Sequence, residues 1–357
     1  MSSSTIRRAG AVVAALAVLA AGCAAPDRTP AAAPAPATTA PAGAGASLPA
    51  APTGAPSARA GFGGRPRPVA RACTVLPADN VWHADVSRLP VHPRSAAMVA
   101  AIGAGATAHP DFGSGTWDGA PIGIPVTVVP AGQRRVPVSF SYASESDPGP
   151  YPIPPDAAIE GGPRGDGDRH VIVWDRAACR AYELFDAHPA GGGWRAGSGA
   201  VFDLRSNRLR RAGWTSAEAA GLSILAGLVR YDEVAAGRID HAIRVTVPRT
   251  RAGWTWPASH SASDAADPAL PQLGQRLRLK RSVGVSRLPR QARIVAEAMQ
   301  RYGLIVADHG SAWFLSGAPD DRWDNDALRT LGGLRGSDFE VVDAAGLMVS
   351  PTSGATR

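Results

Sequence analysis

Carboxylates and aromatic rings are the side chains of this sequence whose types and spacing could do chemistry. Glu145 and Asp147 stand two residues apart, so both point to one side if the segment is extended. A proline-rich loop that carries Tyr151 follows them at once. Because prolines restrict the backbone, such a loop can hold acidic and phenolic groups in a fixed arrangement, as a preorganised site requires.

Further acids lie beside glycines or at the predicted ends of strands. Glu160 precedes a Gly-Gly pair, and His170 follows a short acidic turn. Asp203 and Asp308 each stand near the end of a predicted strand. Two carboxyl groups, one a proton donor and the other ionised, are the groups that cleave most glycosidic bonds. A solvated turn or a salt bridge is the alternative explanation for each of these acids.

The nine tryptophans all lie after residue 81. Their flat apolar faces suit the C–H faces of sugar rings, and their N–H groups can bond hydroxyls. Core packing is the alternative for any one of them. Trp117 and Trp194 lie in Gly-rich stretches, which are harder to reconcile with a core.

Acidic and aromatic groups together predict a site that acts on a polysaccharide or a cell-wall glycan. We expect the catalytic carboxylates of a glycoside hydrolase to be Asp147, Glu160, Asp203 and Asp308. We expect the substrate to contact Glu145, Tyr151, His170, Arg205, Trp214 and Trp313. Two alternatives stay open, namely a non-catalytic glycan-binding protein that uses the same tryptophans and a structural protein of the cell envelope.

Motifs for several other chemistries are missing from the sequence. There is no G-x-S-x-G nucleophile elbow, no H-E-x-x-H zinc motif and no glycine loop followed by Lys-Ser/Thr. The only lysine, Lys280, has no serine three residues before it. We therefore expect neither a metal nor a cofactor.

The amino terminus has the parts of a secretory signal. Arg7 and Arg8 precede an uncharged apolar run that is too short to span a bilayer. The run ends in Leu-Ala-Ala-Gly-Cys, which resembles the lipobox of bacterial lipoproteins, whose cysteine (here Cys23) takes a diacylglycerol. We predict a signal peptide at 1–22 and a lipid-anchored, disordered Ala/Pro-rich tether at 23–70. The rest of the chain is then at the extracellular face of the cell membrane, or secreted if Cys23 carries no lipid.

The chain has three cysteines. If Cys23 carries lipid, Cys73 and Cys179 remain as one pair in an oxidising compartment, which predicts one disulfide. Most of the formal net charge of +7 belongs to the predicted signal and tether, so the remainder of the chain is close to neutral. That distribution excludes the basic surface of a nucleic-acid-binding domain. We expect a monomer whose partners are a glycan and, through the lipid, the membrane.

Many short strand signals separated by Gly/Pro turns follow the tether. Apolar and polar residues alternate at 170–175 and 180–186, which predicts a β-hairpin. Residues 289–302 have the clearest helical pattern. Residues 215–218 have a capping-box pattern that predicts another short helix. We predict a mainly β fold in a single domain at 71–345, either a β-sandwich of jelly-roll type or a β-rich α+β fold with a few short helices. We expect a disordered tail at 346–357.

Four stretches, at 167–175, 197–207, 228–233 and 305–313, resemble ones in secreted proteins and lipoproteins of actinobacteria and other soil bacteria. The similarity extends from about Cys73 to Asp343. It implies a single exported domain and implies no particular reaction.

Overall fold

Residues 73–357 are the part of the chain that the computed structural model describes. They belong to one compact unit. The predicted signal peptide, the lipid-acceptor Cys23 and the predicted tether lie outside the described residues. Among the residues described, no helix combines the length and the apolar character needed to cross a membrane.

Short strands make up most of the regular structure, with a few short helices between them. The strands are β1 (His109–Asp111), β2 (Thr116–Trp117), β3 (Ala120–Pro121), β4 (Val126–Val129), β5 (Val138–Phe140), β6 (Val171–Asp175), β7 (Arg180–Phe185), β8 (His188–Ala190), β9 (Gly193–Ala196), β10 (Ser198–Asp203), β11 (Ile243–Val247), β12 (Arg276–Leu279), β13 (Leu304–His309), β14 (Phe314–Ser316), β15 (Phe339–Val341), β16 (Met348–Ser350) and β17 (Ser353–Thr356). The helices are α1 (Ser95–Ile102), α2 (Ile224–Gly227), α3 (Tyr231–Ala235), α4 (Arg290–Arg301) and α5 (Asn325–Arg329), and single 3₁₀ turns occur at Val81–His83, Ala143–Glu145, Thr330–Gly333, Gly336–Asp338 and Ala345–Leu347. The predicted mainly β class with a few short helices is confirmed.

The largest sheet has six strands in the order β1-β14-β11-β13-β12-β15. Strand β11 runs parallel to β13, whereas β14 and β12 are antiparallel to their neighbours in the middle of the sheet. Because β11 and β13 are parallel, their carboxyl ends meet at one edge. Helix α4 packs on this sheet, so the β-rich α+β form of the prediction describes the molecule.

A four-stranded sheet in the order β10-β7-β6-β4 lies between two hydrophobic cores. Successive residues of a strand point to opposite faces. Ile172 and Trp174 of β6 accordingly join the larger core, and Val171 and Val173 join the smaller one. Burial on both faces explains why β6 is apolar without interruption. The predicted hairpin is confirmed, since β6 pairs antiparallel with β7.

Helix α4 is the predicted helix of residues 289–302. Its apolar stripe, which includes Ile294, Val295 and Met299, is buried. Gly303 follows the helix at φ +71°, and a Cβ there would lie 2.0 Å from the carbonyl oxygen of Leu277. Glycine is required here because any side chain would collide with β12 and because the backbone is left-handed.

The short helix predicted at residues 215–218 does not form. The Thr215 hydroxyl donates to the backbone oxygen of Glu218 across a turn, and the next helix begins only at Ile224. In a capping box the Glu218 side chain would reach back to the first residue of the motif. Instead its carboxylate points inward to Arg244, at 2.5 Å, so the ion pair competes with the cap.

The carboxyl-terminal residues are ordered, and the prediction of a disordered tail at 346–357 is wrong. Strands β16 and β17 pair as an antiparallel hairpin. The hairpin is bonded to the rest of the molecule, because Thr356 N donates to Asp79 O at 2.8 Å and Gly354 N donates to Asn207 O at 2.6 Å. The prediction failed because it rested on the polar composition of the segment, which does not reveal these backbone hydrogen bonds.

The predicted disulfide is present. Cys73 and Cys179 are bonded, with their Cα atoms 5.4 Å apart and a sequence separation of 106. Cys179 lies in the turn between β6 and β7, so the bond joins the first described residue to the centre of the four-stranded sheet.

Candidate functional site

A cavity of about 480 Å³ opens between the carboxyl edge of the six-stranded sheet and the ends of β7 and β10. We call it the acidic cavity, because four of its lining residues carry carboxylates, of which the Glu218 side chain alone has no exposed surface. Its principal polar and aromatic lining residues are Tyr142, Glu145, Asp168, His260, Asp308 and His309.

The three partly accessible carboxylates come from separate elements. Glu145 ends the 3₁₀ turn after β5, Asp168 lies in the loop before β6, and Asp308 stands near the end of β13. Each is exposed or half-buried, so a ligand in the cavity can reach it. The fold therefore brings together acids that are up to 163 positions apart in the chain.

Asp308 is held by groups that stabilise its negative charge. One carboxylate oxygen accepts the amide hydrogen of Ala219 at 3.0 Å and lies 3.6 Å from a guanidinium nitrogen of Arg244. The side chain is 21 % exposed and keeps access to the cavity. A carboxyl group held in a fixed orientation at a cavity wall is suited to act as a nucleophile or base.

Arg244 lies behind Asp308, in the middle of β11, and is almost fully buried. Its Nε donates to the Glu218 carboxylate at 2.5 Å, and another nitrogen donates to the Ser316 hydroxyl at 2.7 Å. The Glu218 side chain has no exposed surface, and its second oxygen has no hydrogen-bond partner among the described residues. Burial raises the pKa of Glu218 to about 7, although Arg244 opposes this shift. Glu218 therefore positions Arg244 and does not touch a ligand.

Asp168 differs from Asp308 in its electrostatic surroundings. Partial loss of hydration in the cavity wall raises the pKa of the Asp168 carboxyl, and the negative charges of Glu160 and Asp308 raise it further. The nearby His170 opposes the shift. Asp168 and Asp308 thus share one cavity but differ in the groups that surround their carboxyls.

Two imidazoles complete the polar lining. His260 Nδ1 donates to the carbonyl of Ala219 at 2.8 Å when the ring is neutral, which leaves Nε2 facing Glu145 at 3.8 Å. His309 Nε2 is 2.7 Å from the hydroxyl of Thr250. Both rings can exchange hydrogen bonds with a polyhydroxylated ligand.

Of the four acids predicted to be catalytic, only Asp308 lines the acidic cavity. Asp147 accepts hydrogen bonds from the nearly buried Arg210 at 2.6 Å and from Val201 N at 2.8 Å, so it joins the proline-rich loop to β10. Asp203 bonds the backbone of Arg205 within its own exposed turn. Glu160 pairs with His170 Nδ1 at 2.5 Å. The predicted grouping of these four is wrong, since three of them have structural partners outside the cavity.

The predicted substrate contacts divide in the same way. Glu145 lines the cavity, whereas Tyr151 and Trp313 are completely buried and cannot touch a ligand. The Tyr151 hydroxyl donates to Asp147 O, and Trp313 stacks on Phe339 while its Nε1 donates to Gly103 O.

His170, Arg205 and Trp214 also lie off the cavity surface. His170 is buried, and its Nε2 faces the carbonyl oxygen of Ala217 at 3.0 Å. Arg205 donates to Ala178 O near the disulfide, and Trp214 packs under the guanidinium of Arg210. Each of these side chains stabilises a loop instead of presenting a surface to substrate.

No protein-family model, curated protein or solved structure matches this chain.

Within residues 73–357, no cluster of three or more His, Cys, Asp or Glu side chains could hold a metal ion. The acidic cavity presents carboxyl, imidazole, hydroxyl and phenol groups.

Sequence reasoning missed Asp168, His260, Glu218 and Arg244 as members of the site. Arg244 left one signal, because a lone arginine in the apolar strand Ile243–Val247 needs a buried acid as a partner. Only the fold identifies that acid as Glu218, because Glu218 precedes Arg244 by 26 positions in the sequence.

Proposed function

We propose that this protein is a carbohydrate-active protein that hydrolyses glycosidic bonds of a polysaccharide or cell-wall glycan in the acidic cavity. The observation that carries the proposal is the convergence of Asp168 and Asp308 on one cavity, where the pKa of Asp168 is raised by burial and Asp308 lies 3.6 Å from the Arg244 guanidinium. Hydroxyl-rich ligands also suit the remaining lining, which combines the exposed ring of Tyr142 with two imidazoles.

In this mechanism Asp168 donates its proton to the glycosidic oxygen as the bond from that oxygen to the anomeric carbon breaks. Asp308 acts on the opposite side, either by attacking the anomeric carbon or by removing a proton from an attacking water. Arg244 and the amide of Ala219 keep the Asp308 charge in place. Glu145 and His260 contact the hydroxyls of the sugar.

The first prediction is that Asp168→Asn and Asp308→Asn each lower turnover by about 10²–10⁴-fold, the usual contribution of a general acid or base. Asp203→Asn is the matched control, because its carboxylate bonds only within its own exposed turn. Release of reducing ends from peptidoglycan, chitin, cellulose, xylan and mannan measures the effect. Activity of the wild type should also decline as rising pH removes the proton of Asp168, whose pKa lies above the ordinary value of 3.8.

Two results would overturn the assignment. Equal turnover in Asp308→Asn and wild type would exclude Asp308 from the reaction. If the wild type binds a glycan array but releases reducing ends from none of the five polymers, the protein is a non-catalytic binder and the hydrolase proposal is wrong.

The setting of this activity is proposed from the sequence. A lipid on Cys23 would hold the domain at the extracellular face of the cell membrane, with the Ala/Pro-rich segment as a spacer. The proposed partners are then a cell-surface or environmental glycan and the membrane that carries the lipid.

A further inference from the structure

A second cleft, of about 460 Å³, shares no lining residue with the acidic cavity. It lies between the 251–258 loop, the segment after β15 and the β16–β17 hairpin. We call it the tryptophan cleft, because Trp254 and Trp256 both line it.

The two tryptophans of this cleft differ in what they offer a ligand. Trp254 is 40 % exposed, and among the described tryptophans only Trp117 is exposed more. Trp256 is half-buried, and its Nε1 donates to Ser353 O at 2.8 Å, which fixes the ring against the hairpin. A large exposed aromatic face at the wall of a cleft costs hydration free energy unless a ligand covers it.

Polar side chains without full hydrogen bonding lie beside this aromatic face. Gln275 is only 8 % exposed, yet its side-chain amide bonds no other described residue. Arg251 donates from one terminal nitrogen to Gln272 at 2.9 Å, while its Nε has no partner among the described residues. Arg251 Nε is closed to solvent, but the Gln275 amide and the second terminal nitrogen of Arg251 have no partner among the described residues, so a hydroxyl-rich ligand can bond both.

The charges in the cleft point to a neutral ligand. Arg251 contributes one positive charge and Asp343 one negative charge. Burial and the charge of Arg94 lower the pKa of His92, the remaining titratable group of the lining, so it adds no charge near neutral pH. The lining therefore carries no net charge, which favours a neutral ligand over a phosphate or a uronate.

We propose that the tryptophan cleft is a saccharide-binding site for a neutral oligosaccharide, with one sugar ring on Trp254 and its hydroxyls bonded to Gln275 and Arg251. The site is separate from the acidic cavity and does not depend on hydrolysis there. It would hold a polymer on the protein whether or not the polymer is cut.

The test is isothermal titration calorimetry of the protein with chitohexaose, cellohexaose and xylohexaose as probes. We expect at least one probe to bind the wild type and Trp254→Ala to bind it at least tenfold more weakly. Trp254→Phe should retain part of the affinity, because a smaller aromatic face remains. Trp117→Ala is the matched control, since it removes a tryptophan that is even more exposed from the β2–β3 hairpin, outside the cleft.

Adding Trp254→Ala to Asp308→Asn should weaken probe binding by the same factor as Trp254→Ala does in the wild type, which separates this site from the acidic cavity. Unchanged affinity in Trp254→Ala, or an equal loss in Trp117→Ala, would overturn the proposal. Failure of all three probes to bind the wild type at millimolar concentration would also overturn it, whatever the result for hydrolysis.

Discussion

At the scale of single residues, ion pairs decide which carboxylates remain available to a ligand. Asp147 is paired with Arg210, and Glu160 is paired with His170. Arg244 is shared between Glu218 and Asp308, and its closer contact is with Glu218. Asp308 therefore keeps an accessible, charged oxygen.

The His170–Glu160 pair gives the second prediction, which concerns pH. Both ring nitrogens of His170 face acceptors, and Glu160 raises its pKa to about 9 against the opposing effect of burial. A histidine whose pKa is raised on folding contributes stability that is complete below its ordinary pKa of 6.5. That contribution is lost as pH rises through about 9. Glu160, whose pKa is lowered by His170, loses its contribution on the acid side instead.

Denaturant unfolding between pH 6.5 and pH 9.5 measures the effect. We expect the wild type to lose stability over this range and His170→Gln to lose much less, because it has no proton to release. His188→Gln is the control, as His188 pairs with Asp186 at the surface. A steep alkaline loss that persists in His170→Gln would contradict the prediction.

At the scale of elements, the carboxyl-terminal hairpin gives the third prediction. Removal of residues 348–357 deletes the bonds to Asp79, Asn207 and Trp256 and one wall of the tryptophan cleft. At about 1 kcal/mol for each lost hydrogen bond, we expect a loss of about 2–4 kcal/mol in the free energy of unfolding. Oligosaccharide binding should fall, while turnover in the acidic cavity persists.

Urea unfolding and calorimetry of the truncated protein check both parts of this expectation. Trp256→Phe is a partial control for the lost bond to Ser353, because it keeps a smaller aromatic ring and removes the N–H donor. A disordered tail would make the truncation neutral, so an unchanged midpoint would contradict the hairpin.

The elements that could be predicted from the sequence are those whose signal is local. The β6–β7 hairpin and helix α4 show their periodicity within a dozen residues, and Gly303 marks the end of the helix. The turn at Thr215 could not be predicted, because Glu218 pairs with a residue on another strand. The burial of Trp313 could not be predicted either, because it follows polar residues typical of a loop, yet its ring stacks on Phe339.

The sequence predicts the types of side chain in the candidate site but not which residues form it. Acidic and aromatic chemistry was expected, but the partner of each acid depends on contacts between distant segments. Asp147 and Asp308 look equivalent in the sequence. In the structure Arg210 binds Asp147 and holds the proline-rich loop, whereas Arg244 lies behind Asp308 and leaves it accessible as a candidate catalytic group.

At the scale of the whole molecule, the disulfide gives the fourth prediction. Cys73 and Cys179 close a loop with a sequence separation of 106 residues. For a loop of this length, restriction of the unfolded chain stabilises the native state by about 4–5 kcal/mol. The double variant Cys73→Ser/Cys179→Ser should lose about that much in urea unfolding. Labelling of the unfolded wild-type domain (residues 73–357) should find no free thiol, and two labelled thiols would contradict the bond.

The position of this bond also determines how the domain would respond to pulling. Tension applied between residue 73 and the carboxyl terminus passes through the two sulfur atoms to Cys179, so the intervening segment bears no load. The proline-rich loop and the loop that carries Asp168 both lie within that shielded segment. Reduction would add the 106-residue separation to the extensible chain, about 37 nm at roughly 3.5 Å per residue. A protein held at one end while it grips a polymer would thus keep half of its candidate site out of the force path.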